Sequence, residues 1–477
     1  MALRPLFLLS GFGVVAISLA ACAVGPNYSP PKAPGVESLA EPPKEATGWV
    51  PAEPLDGLPR GPWWTAFKDP DLDRLEVQLG AANQTLKAQE AIYRQARALV
   101  EEAQSGVFPV LGYQGSGQRS GGGSGASTTL RPGKTYSAAA SASWTLDFWG
   151  KIRRQVEQSR AEAQASATDL ATVRLSLEAE LAGDYLTLRA EDEQIGLLTQ
   201  AANAAQRIAH DTANQYRAGV AQRSDVIAAE SAEASAHAAV FDAKASRAVY
   251  EHAIAVLVGA PPEGFSLPPS ALTAHAPDAP VAIVSTLLQR RPDVAGAERA
   301  AAAASAGIGI ARAAWFPNLS LSASDTSTSA IVSKLLTSPT TVWAYGAAAS
   351  GTVLDFGGRQ GADRAARAAY EQQAAIYRNT VLAALQNVED QVARLRAFEA
   401  EAPLRQADLD RAKQAEQIAR NQYAAGTLAY GAVAQAESAR YTVEEALLTL
   451  RLNRALASLG LIQALGGGWT SADLPRF

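Results

Sequence analysis

The chain has 477 residues, of which 48% are hydrophobic and 19% charged, and its formal net charge is −5. This composition excludes a disordered chain, and its acidic balance gives no electrostatic reason to bind nucleic acid. The four histidines show no metal-ligand spacing, and the glycine-rich stretch at 121–125 lacks the lysine of a phosphate loop. We therefore expect no catalytic site, no metal and no cofactor apart from a covalent lipid.

The N-terminus has the form of an export signal. Residues 1–21 carry one basic residue, then a largely apolar run that is too short for a spanning helix. Leu19-Ala20-Ala21-Cys22 has the pattern of a bacterial lipobox, which predicts a lipid on Cys22, the only cysteine. An ordinary signal peptide is the alternative. Residues 22–70 are rich in proline and are predicted to form a lipidated, extended arm. After residue 21 the sequence has no run of 18 or more apolar residues, so it predicts no transmembrane helix.

The remainder of the chain contains two copies of one unit, because several motifs recur in the same order. The first three matches are 208 residues apart and the later ones 207, so the second copy lacks one residue. The matches are Phe108-Pro109 with Phe316-Pro317, Asp147-Phe148 with Asp355-Phe356, Gly150 with Gly358, Asn214-Gln215-Tyr216 with Asn421-Gln422-Tyr423, and Gly219 with Gly426. The copies are predicted at 71–280 and 281–466, followed by a tail at 467–477.

Each copy predicts a helix stopped by proline, two strands, a very long helix, a glycine turn and a return helix. In the first copy the ranges are 71–106, about 108–148, about 150–216 and about 225–258, followed by a proline-rich connection at 261–280 around the middle of the molecule. In the second copy they are 293–314, about 316–356, about 358–423 and about 432–465. The long helices are expected to run uninterrupted for ~97 Å at ~1.5 Å per residue. They are expected to pack as coiled coils through apolar positions at heptad-like spacing, which are Val381, Leu385, Val388, Val392 and Leu395 in the second copy and Leu170, Leu177, Leu181, Leu188 and Ile195 in the first. A filamentous coiled coil is the alternative.

The strands alternate between two kinds of side chain. In 136–148 the even positions are apolar or aromatic and the odd ones small or polar, and 319–324 repeats this alternation. A strand with lipid on one side and water on the other has this pattern, although a buried soluble sheet remains the alternative. The last strand, Val342 to Leu354, alternates less clearly. Because open sheet edges are not tolerated in lipid, a spanning sheet of four strands requires several chains.

Three segments resemble the TolC-like outer-membrane efflux proteins, in particular their NodT-type lipoprotein branch. They are CAVGPNYSPP at 22–31, WTLDFWGKIRR at 144–154 and RRPDVAGAERAAAAASAGIGIARAAWFPNLSLSAS at 290–324. The resemblance implies a mostly α chain with a transmembrane β part. It implies a homotrimer whose twelve-stranded barrel, four strands from each chain, continues into a coiled-coil α-barrel in the periplasm. The protein would then be the exit duct of a tripartite efflux pump in the bacterial outer membrane.

The same resemblance implies partners and cargo. The partners are a periplasmic adaptor protein and an inner-membrane transporter, commonly of the resistance-nodulation-division type. The cargo is small molecules such as drugs or other toxic compounds. Two alternatives stay open at this point, a lipid-anchored periplasmic scaffold without a pore and the exit duct of a protein-secretion system.

The resemblance also places functional residues. The glycine turns correspond to the periplasmic end, and their candidate adaptor contacts are Gly219, Val220, Gly426 and Thr427; simple helix C-caps are the alternative for the glycines. Asp225 matches an acidic gate position, and it is equally an N-cap candidate. Ala432 and Gln435 stand where the family often has aspartate, so the second copy offers Tyr430 and Gln435 as gate candidates. The strand-to-helix junction at the membrane edge is predicted to comprise Trp144, Phe148, Trp149, Gly150, Phe356 and Gly358.

Overall fold

The computed structural model describes residues 23–32, 62–121, 133–272, 291–337, 340–468 and 473–475. The predicted signal peptide, Cys22, most of the arm and parts of both inter-strand loops lie outside these ranges. The elements are α1 Pro70–Ala82, α2 Gln84–Ser105, β1 Val110–Ser120, β2 Gly133–Leu146, α3 Lys151–Arg217, α4 Arg223–Leu257, α5 Pro292–Ala313, β3 Asn318–Ser329, β4 Thr341–Ser350, α6 Gly358–Ala424 and α7 Tyr430–Ala464. Among the described residues, no helix has an apolar stretch sufficient to cross a bilayer.

The structure repeats itself as the sequence does. Helices α3 and α6 each have 67 residues, and α4 and α7 each have 35. Corresponding helices from α3 onward begin 207 residues apart, whereas corresponding strands begin 208 apart. The missing residue therefore lies where the last strand of each copy meets the long helix. We call this connection, residues 147–150 and 351–357, the seam.

The seam corrects one sequence match. Gly150 precedes α3 in a left-handed conformation with φ 79°, and the residue that precedes α6 in the same conformation is Gly357, with φ 97°. Gly358, which the sequence aligns with Gly150, is instead the first residue of α6. Phe356 also takes a positive φ of 50°, which is unfavourable for a residue with a side chain. From the aspartate to the helix, the second copy thus has one residue fewer, 355–357 against 147–150, and this part includes a strained aromatic residue.

Two further boundaries differ from prediction. The first predicted helix is broken into α1 and α2 at Asn83, whose Oδ1 accepts a hydrogen bond from the Leu86 N–H (2.9 Å) while its amide donates to the Leu257 carbonyl (2.8 Å). Asparagine competes with the helix backbone in this way, which favours a new N-cap. Strand β4 ends at Ser350, four residues before the predicted end. Its ladder stops opposite Asn318 because the next residue, Pro317, has no N–H to donate.

The long helices pack on the predicted apolar positions. Val381, Val388, Val392 and Leu395 of α6 are all buried, and so are Leu181 and Leu188 of α3. Helix α6 continues through Pro403, and the corresponding residue of α3, 207 positions earlier, is Gly196. Both residues weaken a helix. The two copies therefore place a helix-weakening residue at the same level.

The largest hydrophobic core lies at the middle of the helical body. Trp63 and Phe67, in a short 3-10 turn, pack with α1 against α3, α4 and α7, and the proline-rich connection adds Leu267 and Leu272. The connection therefore contributes to this core through residue 272. Residues 273–280 of the predicted connection lie outside the described ranges. This core also encloses a carboxyl group, Glu76, which is 2% exposed.

Candidate functional site: channel wall, seam and periplasmic tip

The sheet has one polar and one apolar face. It is antiparallel in the order β1-β2-β3-β4. On one face the register aligns Ser141 with Ser324 and Ser143 with Ser322, and on the other it aligns Trp144 with Leu321. Most of the apolar face continues onto β1 and β4 through Leu111, Tyr113, Tyr345 and Trp343. This division suits a wall between lipid and water.

One acidic side chain departs from this division. Asp325 lies in register with Ala140 and Trp343, and therefore on the apolar face. It is seven residues along β3 from the seam end, about 23 Å at ~3.3 Å per residue.

Tryptophan side chains at the seam form hydrogen bonds with the segments that precede β1 and β3. The Trp144 indole N–H donates to the Val107 carbonyl (2.8 Å), and the Trp149 indole N–H donates to the Pro317 carbonyl (2.8 Å). The Trp149 ring also stacks on Phe316, with ring centroids 4.6 Å apart. These contacts join β2 and α3 to the connections that precede β1 and β3. Phe148 is 38% exposed and Phe356 92% exposed, so these two rings point outward, as residues of a membrane-interface girdle do.

A carboxylate orders each helix start at the seam. Asp147 accepts hydrogen bonds from the backbone N–H groups of Ile152 and Arg153 (2.9 Å each). In the second copy Asp355 accepts from the backbone N–H and the guanidinium of Arg359, and these bonds lower the pKa of Asp355. Each aspartate therefore binds the positive end of a helix dipole just after a strand.

The N-terminal segment, residues 23–32, lies against the seam. The Val24 N–H donates to the Trp149 carbonyl (3.0 Å). Gly25 passes so close to Gly309 of α5 that a Cβ on Gly25 would lie 2.5 Å from the Gly309 Cα. Farther along, the Tyr28 hydroxyl donates to Glu298 (2.5 Å). The residue that follows Cys22 is thus held at the membrane end of the helical body.

The periplasmic tip consists of two turns with the same backbone pattern. Gly219 has φ 76° and Gly426 has φ 71°. In the first turn the Val220 N–H donates to the Gln215 carbonyl, and in the second the Thr427 N–H donates to the Gln422 carbonyl. This pattern is the Schellman motif, which explains both glycines as helix C-caps. Val220 and Thr427 are exposed at the extremity of the tip.

The three gate candidates have different surroundings. Asp225 is exposed and caps α4, where its Oδ2 accepts from the Gln222 N–H (3.1 Å). Gln435 is exposed, and its side chain makes no hydrogen bond within the described ranges. Tyr430 is half-buried, packs edge-on against Tyr423 with ring centroids 5.1 Å apart, and its hydroxyl accepts from Arg207 Nε (3.2 Å). Helices α3 and α4 form the first hairpin, and α6 and α7 form the second. Of the three gate candidates, only Tyr430 therefore contacts the hairpin to which it does not belong.

The sequence reading missed an ion network above the second turn. The Glu437 carboxylate, 1% exposed, pairs with Arg420 of α6 (2.5 Å) and with Arg207 of α3 (3.3 Å). Arg420 also pairs with Glu416 (2.8 Å), which in turn binds Arg440. Spacing reveals the pair within α6, since Glu416 and Arg420 are four residues apart. No local pattern reveals the Arg207 contact, whose partners are 230 residues apart in the chain.

The family described as outer membrane efflux protein matches residues 76–260 and 283–467, which correspond to the two copies. The pyoverdine export outer membrane protein OpmQ of Pseudomonas aeruginosa is 30% identical over 423 residues, covering 86% of this chain and 88% of that protein. The cation efflux system protein CusC of Escherichia coli is 26% identical over 471 residues, covering 95% and 97%. The solved structure of the outer-membrane channel OprN aligns with a TM-score of 0.81 at 28% identity, covering 94% of this chain and 100% of that one.

Proposed function

The chain belongs to the outer membrane efflux protein family and is an outer membrane efflux channel, and we propose that three copies close its wall into one duct. The observation that carries this proposal is the open wall of a single chain. Strands β1 and β4 lie at the two edges of the sheet, and unpaired strand edges are not tolerated in lipid. Two copies supply eight strands, and side chains fill the interior of an eight-stranded barrel. Three copies supply twelve strands, which leave a lumen.

The helical layer is open in the same way. In the half of the helical layer near the tip, neighbouring helices follow the order α4, α3, α7, α6. In the half near the seam, they follow the order α2, α3, α5, α6. The outer helices α2, α4 and α6 carry exposed apolar side chains on their surfaces: Ile92, Leu99, Phe241, Val249, Val256, Leu382, Leu404 and Ile418. Contact between the α6 side of one copy and the α2 and α4 side of the next removes such side chains from water, which favours assembly.

The proposed duct works with a periplasmic adaptor and an inner-membrane transporter of the resistance-nodulation-division type, which supplies the energy. The exposed Val220 and Thr427 at the tip are the proposed adaptor contacts. The cargo is a small molecule such as a drug or another toxic compound. The relatives' names refer to pyoverdine in one case and cations in another, which supports a passive duct whose transporter selects the cargo.

Reconstitution tests the duct directly. We expect the purified protein to produce discrete conductance steps in a planar bilayer and to have the mass of three chains by native mass spectrometry. Heat-denatured protein is the control. A lipid-anchored scaffold produces no conductance steps, and a single-chain or two-chain mass contradicts the trimer.

We further propose that Cys22 carries the lipid anchor. Support comes from the N-terminal segment, which holds Ala23 beside Gly150 at the seam, where the outer membrane begins. In Cys22→Ala, incorporation of labelled palmitate is expected to be lost, because the thiol that starts the acylated N-terminus is gone. Val24→Ala keeps the cysteine and is expected to be labelled like the wild type. Palmitate that persists on Cys22→Ala contradicts the anchor.

A further inference from the structure

A cleft of about 680 Å³ lies beside the seam, among α2, α3, α5 and the N-terminal segment. Its apolar side includes Val107, Phe108 and Val156, and its polar side carries the guanidinium groups of Arg153, Arg160 and Arg299. The arginine and valine positions of α3 are spaced by three or four residues, which puts them on one face of the helix. The cleft thus combines apolar surface with several cationic groups.

Only one of these cations has no carboxylate partner. Arg153 pairs with Asp147 (3.2 Å), and Arg299 pairs with Glu298 (2.5 Å). The one carboxylate in the lining, Glu157, pairs with Arg154 (2.6 Å). The Arg160 side chain is exposed, and within the described part of the chain it forms neither an ion pair nor a hydrogen bond. The cleft therefore has an uncompensated positive charge at Arg160.

In the second copy, the arginine that corresponds to Arg160 is paired with a carboxylate. The residues 207 positions after Val156 and Arg160 are Asp363 and Arg367. Asp363 pairs with Arg367 (2.8 Å) and with Arg312 (3.4 Å), so the second copy satisfies its arginines internally. In the first copy a valine replaces that aspartate, and the arginine is left for an external anion.

The position of the cleft identifies the anion. The cleft adjoins the girdle residue Phe148 through the Asp147–Arg153 contact, and the N-terminal segment that follows Cys22 borders it at Tyr28. Given the proposed function, on which this step rests, that level is where the inner leaflet of the outer membrane presents its headgroups. We propose that the cleft binds an anionic phospholipid, with the phosphate on Arg160 and the neighbouring arginines and the glyceride end on Val107, Phe108 and Val156. Arginine recognises phosphate through paired N–H donors.

Native mass spectrometry of the detergent-extracted protein, incubated with equal amounts of phosphatidylglycerol and phosphatidylcholine, tests the site. The wild type is expected to retain phosphatidylglycerol preferentially. Arg160→Gln is expected to reduce that retention by about tenfold, because it removes the charged donor pair. Val156→Asp introduces the second copy's acid and is expected to have the same effect. Arg364→Gln, an exposed arginine at a similar level on α6, is the matched control and retains the lipid like the wild type.

Each other outcome is decisive. Equal retention by the wild type and Arg160→Gln overturns the site even if Val156→Asp fails to fold. Displacement of phosphatidylglycerol by an excess of inorganic phosphate identifies a free-phosphate site instead. Retention that appears only in Cys22→Ala means that the anchor's own glyceride fills the cleft. Conductance steps of the same wild-type preparation report the proposed duct separately, so that a failed lipid site is distinguishable from a failed channel.

Discussion

Arg207→Ala is expected to raise the mean conductance of the isolated channel severalfold, because the tip is then open for a larger fraction of the time. Near the tip, Arg207 joins α3 of the first hairpin to α7 of the second, through Tyr430 (3.2 Å) and the buried Glu437 (3.3 Å). A charge-assisted hydrogen bond contributes about 1.5 kcal/mol, and because Arg207 is half exposed we discount this to about 1 kcal/mol. That amount shifts a closed–open equilibrium by about fivefold. Single-channel recording in a planar bilayer measures the change.

Two control variants show whether the conductance change is specific to Arg207. Arg223→Ala removes an arginine whose guanidinium lies 5.9 Å from the Tyr216 ring within the first hairpin, and it is expected to leave conductance unchanged. Asp225→Ala tests the alternative latch. If Asp225 acts only as the helix cap that its contacts show, the tip loses some stability while conductance stays the same. An unchanged mean conductance in Arg207→Ala contradicts a role of Arg207 in holding the tip closed.

Glu76→Gln is expected to stabilise the folded protein at alkaline pH. Burial, followed by the nearby carboxyls of Glu178 and Asp73, raises the pKa of Glu76 to about 9, and neither carboxyl oxygen has a hydrogen-bond partner within the described residues. The folded protein therefore keeps a proton that the unfolded chain releases above about pH 4.5. Stability falls as the pH rises from about 4.5 to 9, by about 1.4 kcal/mol for each pH unit.

Thermal melts followed by circular dichroism at pH 5 and pH 8 measure this effect. Glutamine keeps the shape of the protonated acid without its ionisation, so Glu76→Gln melts near the wild type at pH 5 and clearly above it at pH 8. Glu101→Gln changes an exposed glutamate on α2 and is expected to follow the wild type at both pH values. Parallel pH profiles for Glu76→Gln and wild type mean that Glu76 is already ionised in the fold.

Features that depend on near neighbours or on repetition were predictable from the sequence. Alternation along 136–148 predicted the two faces of the sheet, since side chains of a strand alternate by geometry. The apolar spacing of Val381, Val388 and Val392 predicted the buried side of α6, because residues three and four apart share a helix face. The collinear motifs predicted the duplication, which the two family matches confirm.

Contacts between side chains that are distant in the chain depend on how the helices pack in three dimensions. The Arg207–Glu437 contact joins residues from different copies, and it depends on how far α7 is shifted along α3, which no local pattern specifies. The pairing of Gly150 with Gly357 likewise required backbone angles, because aligning identical letters gave Gly358. The uncompensated Arg160 became visible only when its neighbours in space were known, since charge balance depends on distance through space rather than along the chain.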